Sequence, residues 1–142
     1  MQSRQRIIQN LRSAGLRPTE QRIKLAGLLF ANGDRHVTAE QLHAEAVSEG
    51  FMLSVATVYN TLHQFTDAGL IRVLAVEGMA KWFDTNTADH CHFFVEGRGE
   101  ILDFTGNQVE IKNLPDPPDG LEIANIDVVV RLRPVRFGER SQ

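Results

Sequence analysis

The chain has 142 residues, 42% of them hydrophobic and 23% charged, with a formal net charge of −3, which are ordinary values for a globular protein. No apolar run reaches the roughly 20 residues needed to cross a bilayer, and the first residues lack the apolar segment of a signal peptide. Cys91 is the single cysteine, which excludes an internal disulfide and a CxxC zinc clamp, so we expect a reducing cytoplasm.

The charge is unevenly distributed. Residues 1–30 carry six Lys or Arg against Glu20 alone, a net charge of +5, whereas residues 85–142 carry six basic and ten acidic residues, a net charge of −4. A basic N-terminal part followed by an acidic C-terminal part favours phosphate contact by one end of the protein. The alternative is that these arginines only solvate helix faces.

Four predicted helices each have their own start and stop residues. A hydroxyl before an apolar stretch caps a helix N-terminus, and glycine ends one. Thr38 and Gln41 form a capping box, in which each side chain accepts from the other's backbone N–H. The starts are Arg4, Thr19, Thr38 and Ser54, and the stops are Gly15, Asn32-Gly33-Asp34, Gly50 and Gly69.

The fourth predicted helix has two different faces. Its apolar stripe consists of Val55, Val58, Leu62 and Phe65. Its opposite face carries uncharged hydrogen-bonding residues, Thr57, Asn60, Thr61 and Gln64. Such side chains suit base edges and phosphates in a major groove. The alternative is a solvent-exposed face that happens to lack charge.

The surrounding pattern favours the DNA-binding interpretation. The third and fourth helices are joined by a short connection, and two strand-like runs follow, 70–76 and 80–83, around Glu77-Gly78. A helix-turn-helix followed by a hairpin is a winged helix. The predicted DNA-binding residues are Arg17, Arg22, Ser54, Thr57, Tyr59, Asn60, Thr61 and Gln64.

The C-terminal part reads as short strands. Runs 92–95 and 101–104 flank Glu96-Gly97-Arg98-Gly99, and a loop of two or four residues centred there puts His92 directly opposite Asp103. Residues 108–114 predict a third strand, and Ile123–Leu132 the most buried one. We therefore predict an α+β protein with a winged-helix domain at 1–84 and a small dimerisation and sensing domain at 85–142, whose poor stand-alone core a second copy would complete.

His90 and His92 are the most informative pair of residues. Residues i and i+2 of a strand point to one face, so both imidazoles can reach one ion. Asp84, Asp103 and His36 can complete a site for Fe(II), Mn(II) or Zn(II). The alternative is that the histidines merely decorate a solvent-facing surface.

Several motifs together resemble one known family. GLRPTEQR, HVTAEQLH, SVATVYNTLHQF, DAGLI and FDTN…HCHFF occur in this order from about Leu11 to Arg133. They resemble the ferric uptake regulator (Fur) superfamily, and YNTLHQFTDAGL, WFDTNTADH-x-HFFVEG and EIANIDVVVRLR look like its iron response regulator (Irr) branch.

The resemblance implies a homodimeric transcription regulator that binds an operator in double-stranded DNA. The family's regulatory metal site would fall on His36, Asp84, His90, His92 and Asp103. Classical iron sensors have glutamate at two of these positions, whereas the family's peroxide sensors have aspartate at both, as here. The structural zinc site is absent, because Val95 and Arg98 stand where its first CxxC pair would lie.

The Irr branch also lacks that zinc site and senses iron through haem, which is expected to oppose DNA binding. Its cluster of three histidines is His90-Cys91-His92 here, and Cys and His are both axial haem ligands. His63, His90, Cys91 and His92 are thus the predicted haem ligands.

The main hypothesis is therefore a haem-sensing, iron-responsive regulator of iron and haem metabolism genes. One alternative is a repressor in the same family that senses peroxide or a divalent metal. A remote alternative is a small metal-dependent hydrolase, for which the sequence offers no positioned base.

Overall fold

The computed structural model describes residues 3–74, 80–88, 91–104, 109–124 and 126–136, and for Asp103 it describes the backbone alone. The chain divides into two compact units, residues 1–87 and residues 88–142. Among the described residues no helix has the length and apolarity to cross a membrane.

The first unit begins with the four predicted helices. They are α1 (Arg4–Ser13), α2 (Glu20–Leu29), α3 (Ala39–Ser48) and α4 (Val55–Asp67). Thr19, Thr38 and Ser54 cap α2, α3 and α4, and both halves of the Thr38–Gln41 capping box form. The predicted starts are confirmed because each depends on a hydroxyl next to the N–H groups that it satisfies.

A small antiparallel sheet completes the first unit. Its strands are β1 (His36–Val37), β2 (Arg72–Leu74) and β3 (Trp82–Asp84), in the order β1-β3-β2. The two predicted wing strands therefore pair, although the turn between them, Glu77-Gly78, lies outside the described residues. The third strand, β1, was not predicted from the sequence.

The core of the first unit joins all four helices with β1 and β3. Its fully buried side chains include Leu25, Leu29, Leu42, Val58, Leu62, Phe65 and Phe83. Three of the four residues of the predicted stripe on α4 belong to it. Val55 does not, since 39% of it is exposed, because it lies at the first turn beyond the edge of the packed face.

The second unit contains a three-stranded mixed sheet. Its strands are β4 (Cys91–Val95), β5 (Glu100–Phe104) and β6 (Val128–Leu132), in the order β5-β4-β6. β5 pairs antiparallel with β4, whereas β6 runs parallel to it. The four-residue connection 96–99 puts His92 opposite Asp103, which confirms the predicted register.

Two strand predictions in this unit are wrong. Residues 109–114 form no strand, and Asn113 has a φ of 60°, a left-handed conformation that interrupts extended backbone. The strand predicted from Ile123 begins only at Val128, and its residues are mostly half buried. An apolar run is buried only where another surface covers it, and 37% of Ile126 is exposed in the single chain.

Candidate metal centre and nucleic-acid interface

Two of the predicted metal ligands face each other in the first unit. β1 pairs with β3 in a register that sets His36 opposite Asp84. The His36 Nε2 atom lies 3.4 Å from the Asp84 Oδ2 atom, and both side chains are largely buried. The other carboxylate oxygen, Oδ1, accepts a hydrogen bond of 2.9 Å from the Asn86 N–H, which fixes the orientation of the carboxylate.

A brace next to His36 holds β1 in place. Arg35 donates to both carboxylate oxygens of Glu45 on α3, at 2.8 and 2.6 Å. The backbone of Arg35 also exchanges hydrogen bonds with Thr85, at 2.8 Å to the hydroxyl and 3.1 Å from the Thr85 N–H. The hydrogen bond to Glu45 raises the pKa of the Arg35 guanidinium, which therefore stays charged. Arg35 and Thr85 thus position the residues that follow and precede them, His36 and Asp84.

The His36–Asp84 pair has the chemistry of half a metal site. One imidazole nitrogen and one carboxylate oxygen, 3.4 Å apart, point towards the same place. Two ligand atoms about 2.1 Å from one ion are about 3.0 to 3.4 Å apart at octahedral to tetrahedral angles. These donors suit Fe(II), Mn(II) or Zn(II), so the residues present fit a divalent metal ion.

The remaining predicted metal ligands belong to the second unit. His92 lies on β4, is 2% exposed, and stands opposite Asp103 on β5. Cys91 is a buried free thiol on the adjacent position of β4, so it faces the opposite side of the sheet from His92. His90 lies outside the described residues.

The predicted haem ligands fit haem poorly. An axial ligand needs an open space in front of its donor nitrogen, large enough for the macrocycle. The ring of His63 is instead packed against Tyr59, at 4.5 Å between centroids, and against Phe83, at 5.5 Å. Cys91 and His92 point to opposite faces of one sheet and thus cannot act as neighbouring ligands on one side of an iron. The haem ligand prediction for His63 and for the Cys91–His92 pair is not supported by this geometry.

The predicted DNA-binding residues lie on or beside α4. Arg22 donates to the Gln64 side-chain oxygen at 3.1 and 3.3 Å and to the Arg17 carbonyl at 2.9 Å, so these three residues form one surface. Arg17, Gln64 and Asn60 are exposed. A cation beside amide side chains on a helix is a suitable arrangement for phosphates and base edges.

The hydroxyl groups of α4 have structural partners. Ser54 accepts from the Thr57 N–H at 3.1 Å as the helix cap and donates to the Thr57 hydroxyl at 2.9 Å. Thr61 was predicted to face DNA, and that prediction is wrong because Thr61 is 1% exposed. Its hydroxyl accepts from the Gln21 side chain at 2.9 Å and donates to the Thr57 carbonyl at 2.9 Å, so it joins α2 to α4.

Tyr59 lies on the opposite flank of α4 from Gln64. Tyr59 is 37% exposed, its ring contacts His63 and Phe83, and Lys81 Nζ lies 5.8 Å from the ring centroid. Tyr59 was a predicted DNA-binding residue, but its contacts with His63, Phe83 and Lys81 were not predicted. The available signal was the i, i+2 spacing of Lys81 and Phe83 within the run 80–83 that the sequence predicts to be a strand, because such residues share a face.

Comparison with known proteins connects these features. The model of the ferric uptake regulator family matches residues 13–130, which include both strands of the His36–Asp84 pair and the whole of α4. The chain belongs to the ferric uptake regulator family. As a member of that family it is a DNA-binding transcription regulator and not an enzyme, which confirms the regulator prediction and removes the hydrolase alternative.

Members of this family align with most of this chain. The peroxide-responsive repressor PerR of Staphylococcus aureus (strain Mu50) is 38% identical over 109 residues, which cover 75% of this chain and 72% of that protein. The ferric uptake regulator of Pseudomonas aeruginosa with manganese has a TM-score of 0.71 at 28% identity and covers 92% of this chain and 98% of that one. The ferric uptake regulator of Vibrio cholerae has a TM-score of 0.69 at 25% identity, over 89% and 98%.

These similarities confirm the predicted α+β fold, in which a helical domain with a wing precedes a mixed sheet. They give no support to the narrower assignment to the iron response regulator branch, or to haem as the cofactor, because curated relatives that are 38% identical to this chain are described as peroxide-responsive repressors.

Proposed function

We propose that this protein is a homodimeric repressor that binds its operator in the presence of a divalent metal ion and releases it when peroxide oxidises the iron-loaded form. The observation that carries this proposal is the His36–Asp84 pair, two metal donors 3.4 Å apart and held in register by the β1–β3 ladder.

The ligand set would combine donors from both units. His36 and Asp84 would bind the ion together with His90, His92 and Asp103. Each unit supports this ligand set separately. In the first unit the donor atoms of His36 and Asp84 lie 3.4 Å apart. In the second unit His92 and Asp103 stand opposite each other in the β4–β5 ladder. Three imidazoles with two carboxylates favour Fe(II) or Mn(II), since oxygen ligands shift preference towards harder ions.

The operator would be read by α4. Asn60 and Gln64 supply uncharged hydrogen-bonding groups, and Arg17 and Arg22 supply charge beside them. In a helix-turn-helix protein the second helix enters the major groove, while neighbouring cations fix its position on the phosphates. We expect affinity to fall with salt as these phosphate contacts release counterions.

A second copy of the chain would complete the second unit. Its described surface carries large apolar side chains with roughly half or more of their area exposed, among them Leu102, Leu114, Leu121 and Val135. Exposed apolar area on this scale marks an interaction surface. A two-fold dimer would also present two α4 helices to the two halves of a palindromic operator.

Peroxide sensing is the narrower part of the proposal. It is supported by the similarity to repressors described as peroxide-responsive, and by aspartate at positions 84 and 103. Bound Fe(II) would supply the electron that activates peroxide beside the ligands. The imidazoles held there, those of His36, His90 and His92, would be the residues oxidised, and an oxidised ring is a poorer donor.

The test compares two metal-loaded forms of one protein. We expect the Fe(II)-loaded protein to lose operator binding after brief exposure to hydrogen peroxide, with one oxygen atom added to a peptide that contains His36, His90 or His92. The Mn(II)-loaded protein should keep both its operator binding and its mass, because Mn(II) does not reduce peroxide readily. Equal resistance of the two forms would refute peroxide sensing.

Haem serves as the contrasting ligand in the same assay. The iron response regulator hypothesis, in which haem opposes DNA binding, rests on the motifs that resemble that branch and on the sequence His90-Cys91-His92. Release of the operator by haem, without a requirement for a divalent ion beforehand, would favour that hypothesis over the one proposed.

A further inference from the structure

The strand that carries Asp84 also holds a side chain of the DNA-reading helix. Successive residues of β3 point to opposite faces, so Asp84 and Trp82 share one face and Phe83 points to the other, while Lys81 immediately precedes the strand. Phe83 and Lys81 both contact the ring of Tyr59 on α4. Asp84, a proposed metal ligand, and Phe83, which packs against Tyr59, are therefore consecutive residues of β3.

The contacts form a closed set of rings. Phe83 meets His63 edge-on, with centroids 5.5 Å apart and an interplanar angle of 86°, and meets Tyr59 at 6.3 Å and 88°. Tyr59 meets His63 at 4.5 Å and 62°. Each of the three rings thus contacts both others, in the edge-to-face arrangement that aromatic quadrupoles favour. We call Tyr59, His63 and Phe83 the aromatic triad.

The triad spans the distance from the core to the surface. Phe83 is 1% exposed and lies between Val37 and Val73 in the ladder, whereas 37% of Tyr59 is exposed. A buried ring packed on both sides moves only with its strand, because protein interiors have little free space. A displacement of β3 at Asp84 is therefore passed to the exposed ring of Tyr59.

We propose that Phe83 is a positioning residue that couples the metal site to DNA reading inside the first unit: metal binding at Asp84 fixes β3, and Phe83 with Lys81 then fixes the orientation of Tyr59 on α4. This inference rests on the proposed metal-dependent function and adds a route to it that lies within a single unit.

The composition allows a direct measurement of this coupling. Tyr59 is the only tyrosine in the chain, so replacing tyrosine by 3-fluorotyrosine gives one fluorine NMR signal from the ring in question. Zn(II), which is diamagnetic, serves as the metal probe. Its affinity is measured in parallel by competition with a chromogenic chelator, and operator affinity by fluorescence anisotropy with and without Zn(II).

The main variant is Phe83→Leu, and its matched control is Phe65→Leu, an equally buried phenylalanine of the same core that stands in α4 outside the triad. We expect Zn(II) to shift the fluorine signal in the wild type and in the control. In Phe83→Leu, Zn(II) affinity should stay unchanged, the shift should be largely lost, and operator affinity of the Zn(II) form should fall about fivefold, the value of one aromatic pair.

A surface variant covers the case in which the core substitution unfolds the protein. Lys81 is exposed, so Lys81→Gln removes the cation over the Tyr59 ring without opening the core, and Lys81→Arg keeps a cation there. The Zn(II)-induced shift should shrink in Lys81→Gln and be restored in Lys81→Arg.

The results separate this inference from the proposed function. A wild type that binds no Zn(II), or that binds the operator equally without it, refutes both. A wild type whose operator affinity rises with Zn(II) while the Tyr59 signal does not move refutes the coupling alone. A full shift in Phe83→Leu, or an equal loss in Phe65→Leu, also refutes it, because the effect would then not pass through the triad.

Discussion

The imidazole nitrogen Nε2 of His36 lies 3.4 Å from a carboxylate oxygen of Asp84, and the two residues stand opposite each other in the β1–β3 ladder. His36 lies in β1, just before α3, and Asp84 ends β3, the second strand of the wing. Two segments that are far apart in the sequence thus contribute one potential metal ligand each to the same place.

Removal of either donor should abolish metal-dependent operator binding. Asp84→Ala and His36→Ala each delete one ligand, and we expect Mn(II) affinity to fall at least about 100-fold, since loss of groups that merely orient ligands costs 10- to 100-fold. Isothermal titration with Mn(II) measures the effect. Glu110→Ala is the control, because that carboxylate is exposed and paired with Lys112. Unchanged Mn(II) affinity in both donor variants would place the site elsewhere.

The Arg35–Glu45 brace should support the metal site from outside it. Glu45→Gln removes the charge that holds the guanidinium, and we expect a loss of at most about 1 kcal/mol of stability, because the pair is partly exposed to solvent. Mn(II) affinity should fall moderately, as β1 loses one of its anchors. Urea denaturation and Mn(II) titration of the same variant check both effects. A variant with wild-type values in both would show that Thr85 and the β1–β3 ladder hold β1 without the Arg35–Glu45 pair.

Thr61 and Asn60 should separate stability from DNA binding. Thr61→Val leaves the Gln21 amide without its buried acceptor, which costs about 1 to 3 kcal/mol of unfolding free energy. Asn60→Ala alters an exposed residue, so its stability should stay within about 0.5 kcal/mol of the wild type. Operator affinity should fall in Asn60→Ala and stay nearly constant in folded Thr61→Val. The reverse pattern would mean that Thr61 reaches DNA.

Arg22 should act as a phosphate contact. Its guanidinium is exposed enough to reach DNA while Gln64 and the Arg17 carbonyl fix its direction. Arg22→Ala should weaken binding similarly for all sequences and reduce the slope of log affinity against log salt by about 1. Titrations of operator and unrelated DNA at several salt concentrations measure both quantities. A selective loss on the operator, with an unchanged slope, would instead indicate base reading.

The same substitution at two sites on α4 tests the packing of the helix. Val58 is fully buried and Val55 is 39% exposed, although the apolar spacing predicted burial for both. Val58→Ala should cost about 1 to 3 kcal/mol, and Val55→Ala less than about 0.5 kcal/mol. Thermal or urea unfolding of the two variants provides the comparison, and equal costs would contradict the observed packing.

Features that depend on neighbouring residues could be predicted from the sequence. The caps at Thr19, Thr38 and Ser54 each satisfy N–H groups within three residues, so the local pattern decides them. The His92–Asp103 register follows from the even length of one short connection. These are short-range constraints with few competing solutions.

Features that depend on distant packing could not be predicted in this way. The spacing of α4 put Thr61 on its polar face, and only the approach of Gln21 from α2 makes it a buried link. β1 is two residues long and exists because β3 pairs with it. The run from Ile123 predicted a long buried strand, but burial needs a covering surface that the described residues of one chain do not provide.

We propose that a divalent ion bound by His36 and Asp84 controls the affinity of the protein for its operator. The most direct test is an operator-binding titration of the wild type and of Asp84→Ala, each metal-free and with Mn(II). We expect Mn(II) to tighten operator binding by the wild type strongly and to leave the variant at the metal-free level. Tight binding by the metal-free wild type, or an equal Mn(II) response in Asp84→Ala, would contradict it.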